Sequence, residues 1–201
     1  MTGKLRRIFR NLSPLSGLFG IGLLVMASDR LAHAITILGA LLWVYCLSSL
    51  AVHAAFGIFP RQGRQALLVL LISFVASVFA LLLWIISPLC LLETFFVISL
   101  VPIICMASGI LERFETESLK EKLHNAFSQA LFLGLLIVVF ALVREPLGYL
   151  SLSLPGGTQG IILIGLDEGF FLPIHLIASS CGALLLLGYC MVLYNYYREK
   201  K

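Results

Sequence analysis

The sequence predicts an all-α membrane protein: six transmembrane helices arranged as an inverted repeat of two three-helix halves, with broken first and fourth helices. Three observations lead there. The 201 residues are 60% hydrophobic and only 12% charged, with a mean hydropathy of +1.05, more apolar surface than one soluble core can hide. Lysine and arginine are strongly biased toward alternate connections. Proline or clustered glycine interrupts apolar segments at matching places in the two halves, approximately 12–86 and 94–194 of a single membrane domain.

The opening "MTGKLRRIFR" carries the charge of a signal-peptide start. No A-x-A-like cleavage site follows and five more spans do, so it reads as a cytoplasmic anchor. Leu12 to Ala27 is the first span, interrupted within "LSPLSGLFGIGLL", and Leu31 to Phe56 is the second. The third, Ala66 to Ile86, has no ionisable residue. At about 1.5 Å per residue it covers the roughly 30 Å of bilayer hydrocarbon. Thr94 to Leu111 is the fourth and contains "SLVPIICMASG". Pro102 cannot donate a backbone hydrogen bond, and non-helical backbone at membrane depth is tolerated only where protein or a water-filled cavity satisfies the freed groups. The two broken spans are therefore expected at the centre of the protein, meeting near the midplane.

Ala126 to Val143 and Phe171 to Tyr194 complete the six. Before the fifth span, "ERFETESLKEKLHN" predicts a solvated cytoplasmic helix or a docking loop, with Glu117 and Lys120 spaced to pair. After it, Arg144 to Gly169 predicts a loop. Its "SLPGGTQG" lacks the G-K-[ST] ending of a phosphate cradle and reads as a turn.

With the N-terminus inside, the cytoplasmic side carries Lys4, Arg6, Arg7, Arg10, Arg61, Arg64, Arg113, Lys120, Lys122, Arg198, Lys200 and Lys201. The other side carries Arg30 and Arg144. That asymmetry puts both termini in the cytoplasm and requires an even number of spans. The net charge of +4 thus reports topology, and no basic patch with interleaved aromatics points to nucleic acid.

The five cysteines, Cys46, Cys90, Cys105, Cys181 and Cys190, are odd in number and contain no C-x-x-C pair, which argues against a disulfide framework. Cys90 falls near the outer end of a span and the others at membrane depth, where cysteine ordinarily acts as a small hydrophobe. No span holds a His/Cys/Asp/Glu cluster with metal spacing. His33 and His53 lie toward opposite ends of the second span, His175 follows Pro173, and His124 sits in a connection. No serine stands in G-x-S-x-G, so a self-contained hydrolase is not supported. Glu93, near the outer mouth of the fourth span, serves either as a helix-end marker or as part of an ion path.

Several runs resemble the six-span integral subunits of bacterial Rnf and Na+-pumping Nqr electron-transport complexes, in the pattern of the Rnf E and Nqr D subunits, as a divergent member. Cys105, "MAS", Gly109, Ile110, Leu111, Glu112, Arg113 and Phe114 match the family's cysteine, three residues and Gly-Arg-Ala-Glu-x-Phe. Asn125 to Ser128 match its Asp-Gly-Phe-Ser, and Arg144, Glu145, Pro146, Leu147 and Gly148 match the Arg-Glu-x-x-Gly that closes the fifth span.

The resemblance implies a [2Fe-2S] cluster shared with a homologous, inverted subunit, with Cys105 as the fourth-span ligand; thiolates are the usual ligands of such clusters. It also implies flavin-bearing and other integral partners and a place in the bacterial cytoplasmic (inner) membrane. The sequence departs from the pattern in four places, two of them Ile110, which stands where the family has Arg after Gly109, and Asn125 with Ala126, which stand for its Asp-Gly. Ile21 stands where the first-span ligand cysteine belongs, and Ile103 and Ile104 replace a Thr-Asn pair before Cys105. The functional expectation is a non-autonomous subunit of an ion-translocating electron-transport complex. The alternative is a small membrane transporter or non-redox scaffold with the same inverted-repeat fold.

Overall fold

A computed structural model describes residues 14–55, 64–108, 119–157, 160–165 and 175–199. The N-terminal basic run, Arg61, Gly109 to Phe114, Glu117 and Phe171 lie outside these residues. Seven helices and one hairpin follow in order: α1 (Pro14–Ala27), α2 (Leu31–Ala55), α3 (Arg64–Ile86), α4 (Pro88–Ala107), α5 (Leu119–Tyr149), β1 (Ser151–Pro155), β2 (Ile161–Gly165), α6 (His175–Ala178) and α7 (Ser180–Glu199). Portions of α2, α3, α4 and α5 are each long and apolar enough to cross a bilayer, which makes the chain a multi-pass membrane protein.

The six expected spans are met only in part. The described part of α1 is 14 residues, and the last apolar segment is divided at Ser179 into α6 and α7. Among the described residues the expected breaks in the first and fourth spans do not occur, because α1 and α4 run as continuous helices. Pro102 lies inside α4, buried by its neighbours, in the setting where a membrane helix tolerates the lost bond.

The fourth helix also starts earlier than expected, one residue after α3 ends. Ser87 is the joint, with φ −151° and ψ 86°, as the steric demand of the following proline requires. Its N–H closes α3 on the Leu83 carbonyl at 2.7 Å, and its carbonyl accepts from Leu91 at 3.1 Å to open α4. Cys90 and Glu93 are therefore helical residues rather than parts of a connection, and His124 belongs to α5.

At 31 residues α5 is about 46 Å long and outruns the bilayer. It ends at Leu150, whose φ of 50° stops helical propagation. The loop expected after it is an antiparallel hairpin, which corrects the all-α reading. Ser151 pairs with Gly165 and Pro155 with Ile161, and Gly157 and Gly160 adopt positive φ in the turn.

The core is built on α2 against α5. The buried side of α5 carries Ala126, Ala130, Gly134, Ile137 and Ala141 at three- and four-residue spacing, and all but Ile137 are small residues that let membrane helices approach. A side chain at Gly134 would collide with Leu38, whose Cα lies 3.3 Å from the Cβ position. Around this pair, α3 packs on α2 and α4, α1 packs on α4 and α5, and α7 touches α1.

Candidate functional site

The largest concentration of buried polar chemistry lies where α1 ends, α2 begins and α5 ends. Arg144 and Glu145, adjacent on the last turns of α5, are 2% and 1% exposed. The Arg144 guanidinium uses four of its five N–H groups. Nη1 donates to the Val25 carbonyl and to Ser28 Oγ, both at 2.9 Å, Nε to the Ile177 carbonyl at 3.0 Å, and Nη2 to the Ala178 carbonyl at 2.6 Å. Asp29 Oδ1 is 3.8 Å from Nη2. The carbonyls belong to the last turn of α1 and to the end of α6, so one cation faces the negative ends of two helices and satisfies carbonyls that have no intrahelical partner.

Glu145 does the converse. Its Oε2 accepts from the Leu31 N–H at 2.7 Å, and Ser153 Oγ of β1 accepts from Ala32 N–H at 3.1 Å. Two first-turn donors of α2 are thereby capped from α5 and from the hairpin, and a carboxylate stands at the positive end of a helix. Replacing Glu145 with alanine should cost about 1–3 kcal/mol by stranding a buried N–H, with Glu145→Gln closer to wild type because its amide oxygen still accepts; thermal unfolding of the purified protein measures both.

The break after α6 has its own local chemistry. Ser179 Oγ donates to the Leu176 carbonyl at 2.6 Å and accepts from Gly182 N–H at 3.2 Å, an N-cap for α7. A Cβ on Gly148 would lie 2.9 Å from Ala178 Cβ, so glycine there lets α6 seat against α5 and brings its carbonyls to Arg144. Toward solvent, Arg30 stacks over the Tyr149 ring at 5.6 Å, and the Tyr149 hydroxyl donates to Asp29 at 3.3 Å. His33 Nε2 meets Glu93 Oε2 at 2.7 Å, and Thr36 Oγ1 lies 3.3 Å from Cys90 Sγ, tying α2 to the start of α4.

A second buried polar group lies toward the other ends of α2 and α4. Cys105 is 1% exposed, close to Tyr45, and its carbonyl accepts from Ser108 Oγ at 2.7 Å. One turn along α2 from Tyr45, the hydroxyls of Ser48 and Ser49 are buried without a hydrogen-bond partner among the described residues. Cys105 is thus shielded from lipid, as the sequence led one to expect of a central fourth helix, and α1 does pack on α4.

Comparison with protein-family models and with curated proteins finds no match for this chain. The case for any cofactor rests on its own residues, and the described ones do not by themselves fit a [2Fe-2S] cluster. No three His, Cys, Asp or Glu side chains gather among them, and all five cysteines are free. Cys105 offers one thiol where such a cluster takes four ligands. Ile21, at the position of the first-helix ligand, is 39% exposed on α1, an environment unlike that of Cys105. Cys181 and Cys190 lie on exposed surface of α7.

Sequence reasoning used Arg144 in the charge count and as the start of a loop and met Glu145 only through the resemblance; it gave neither a place in a site. A basic and an acidic residue adjacent at the end of an apolar run, on the side poor in positive charge, was the available signal.

Proposed function

We propose that this chain is a membrane subunit of an Rnf/Nqr-like ion-translocating electron-transport complex, seated in a bacterial cytoplasmic membrane beside a homologous six-helix subunit, with both termini cytoplasmic. The helix packing carries the reading. An inverted repeat exchanges α1 with α4, α2 with α5, and α3 with the last segment. The contacts α1 with α4 and α2 with α5 map onto themselves under that exchange. The contact of α2 with α4 maps onto that of α5 with α1, and α3 with α4 onto α7 with α1, and both members of each pair are in contact. This supports two related halves, and three spans per half would set them in opposite orientations, the architecture of many ion-coupled membrane proteins.

Within the complex Cys105 would contribute one ligand to a shared [2Fe-2S] cluster, which supplies one-electron transfer when bound; the other ligands come from outside the described residues. NADH, ferredoxin and flavin chemistry belong to partner chains. A second reading, a small transporter or scaffold without redox work, is favoured by the enclosure of Cys105 at 1% exposure, since a thiol that serves a neighbouring chain must be reachable from it.

The two readings separate on purification of the tagged chain from its native membrane in mild detergent. The complex reading expects a flavoprotein and a homologous six-helix subunit to co-purify, with iron and a reduced-state EPR signal that Cys105→Ser abolishes. Recovery of the chain without redox partners sinks the assignment. An iron-free but fully active complex removes the cluster and leaves the subunit role standing.

A further inference from the structure

Two adjoining open recesses, of about 520 and 430 Å³, lie at the start of α5 and share Lys120 and His124. The first is completed by Glu121 and Asn125, the second by Leu123 and Phe127 of α5 and by Cys46 of α2. Lys120, Leu123, His124 and Phe127 recur at three- and four-residue spacing and so share one face of α5. With Cys46 on its other wall, the second recess is a furrow between α2 and α5, beside the seam of small residues on which the two helices pack. No acidic side chain lines it, and Glu121 belongs to the first recess only.

The furrow changes from polar to apolar at the depth where a bilayer does. The apolar run of α5 begins at Ala126, six residues after Lys120 and two after His124. At about 1.5 Å per residue their Cα atoms stand about 9 and 3 Å outside the hydrocarbon, against a headgroup layer about 5–8 Å thick on each side. The long stem of Lys120 covers the difference. Both side chains are exposed, and neither forms a hydrogen bond or ion pair with another described residue. Two unpartnered donors above an apolar wall fit a phosphodiester whose ester chains continue into the membrane.

We propose that the furrow between α2 and α5 binds one anionic glycerophospholipid of the adjacent leaflet, its phosphate accepting from Lys120 Nζ and a ring N–H of His124 and an acyl chain lying along Leu123, Phe127 and Cys46. Basic recesses between membrane helices hold anionic headgroups by the same chemistry. Even a neutral imidazole keeps one N–H, so His124 donates in either protonation state. A soluble phosphate meets only the polar half of this site, whereas a lipid meets both halves. The inference goes beyond the function proposed above: it needs a chain that spans a bilayer, and neither a redox partner nor a cluster.

The test is native mass spectrometry of the full chain, delipidated in a neutral detergent and titrated with phosphatidylglycerol or phosphatidylcholine bearing identical acyl chains. Wild type should bind the first phosphatidylglycerol about 10-fold more tightly, the effect of between one and two cations near an anionic surface. Lys120→Gln together with His124→Gln should abolish that preference, and each single change should reduce it. Lys120→Arg should retain most of it. Lys200→Gln with Lys201→Gln, which removes two cations elsewhere, should leave it unchanged, and Phe127→Ala should weaken binding of both lipids. Absence of a preference in wild type, or an equal loss in the two double variants, leaves only diffuse surface charge and overturns the proposal. Displacement of phosphatidylglycerol by millimolar inorganic phosphate, or wild-type lipid binding by Phe127→Ala, assigns the site to a soluble anion and overturns it as well.

Discussion

Arg144→Met should be the most damaging single substitution in the described part of the chain. Methionine keeps the apolar bulk of the side chain and removes every donor. The carbonyls of Val25, Ile177 and Ala178 and the Ser28 hydroxyl lose the group that satisfies them, at a place where Arg144 is 2% exposed and water has little access. Stranding buried polar groups costs about 1–3 kcal/mol for each one left without a partner, because they stay desolvated.

The expected result is a large loss of folded protein and an unfolding midpoint far below wild type in detergent or nanodiscs. Arg144→Lys should fall between the two. It keeps the charge, but a single ammonium with three N–H groups cannot reproduce a planar fork that reaches oxygens on two separate helix ends. A lysine variant indistinguishable from wild type would mean that charge alone, and not the geometry of the fork, holds the helix ends.

Gly182→Ala is expected to be the second most costly change, although it adds one methyl group. The new Cβ would lie 2.6 Å from the Ile177 Cα and press on the Leu176 carbonyl, and neither is the movable end of a flexible side chain. Relief requires displacing α6, whose carbonyls are held by Arg144, so a local overlap spreads into the buried network. Overpacking of this kind costs about 1–3 kcal/mol.

Gly188, on the same helix, is the internal control, since a Cβ there meets nothing within 4 Å. Gly188→Ala should be neutral or stabilising by up to about 1 kcal/mol, the difference in helix propensity. Equal effects at positions 182 and 188 would remove the tight approach of α6 to α7 from the account.

The sequence placed breaks in the first and fourth spans, whereas the described residues show one at Ser179. Pro102 and the glycines of α1 are conspicuous, and proline in water does end helices. Inside a bilayer the backbone has no competing solvent partner, so a helix runs through a buried proline at the loss of one bond. The division at Ser179 has no proline within it. It is marked only by Ser179, a capping residue, and by Gly182 three positions later, a signal too common in apolar segments to be decisive. What makes that break stable is Arg144, 34 positions from Ala178 in the chain. The hairpin was passed over for a related reason: Ser151–Pro155 and Ile161–Gly165 are five residues each and read as loop beside a glycine-rich turn.

The sequence by itself determined that the chain lives in a membrane and where the long apolar helices run, because these follow from hydrophobicity summed along contiguous residues. The tertiary structure alone decided that Arg144 and Glu145 bind helix ends of opposite polarity, that Ser153 caps α2 and that His33 finds Glu93. Those contacts join residues far apart in the chain, and the field at a helix terminus belongs to its position in the fold, not to the composition of any one segment.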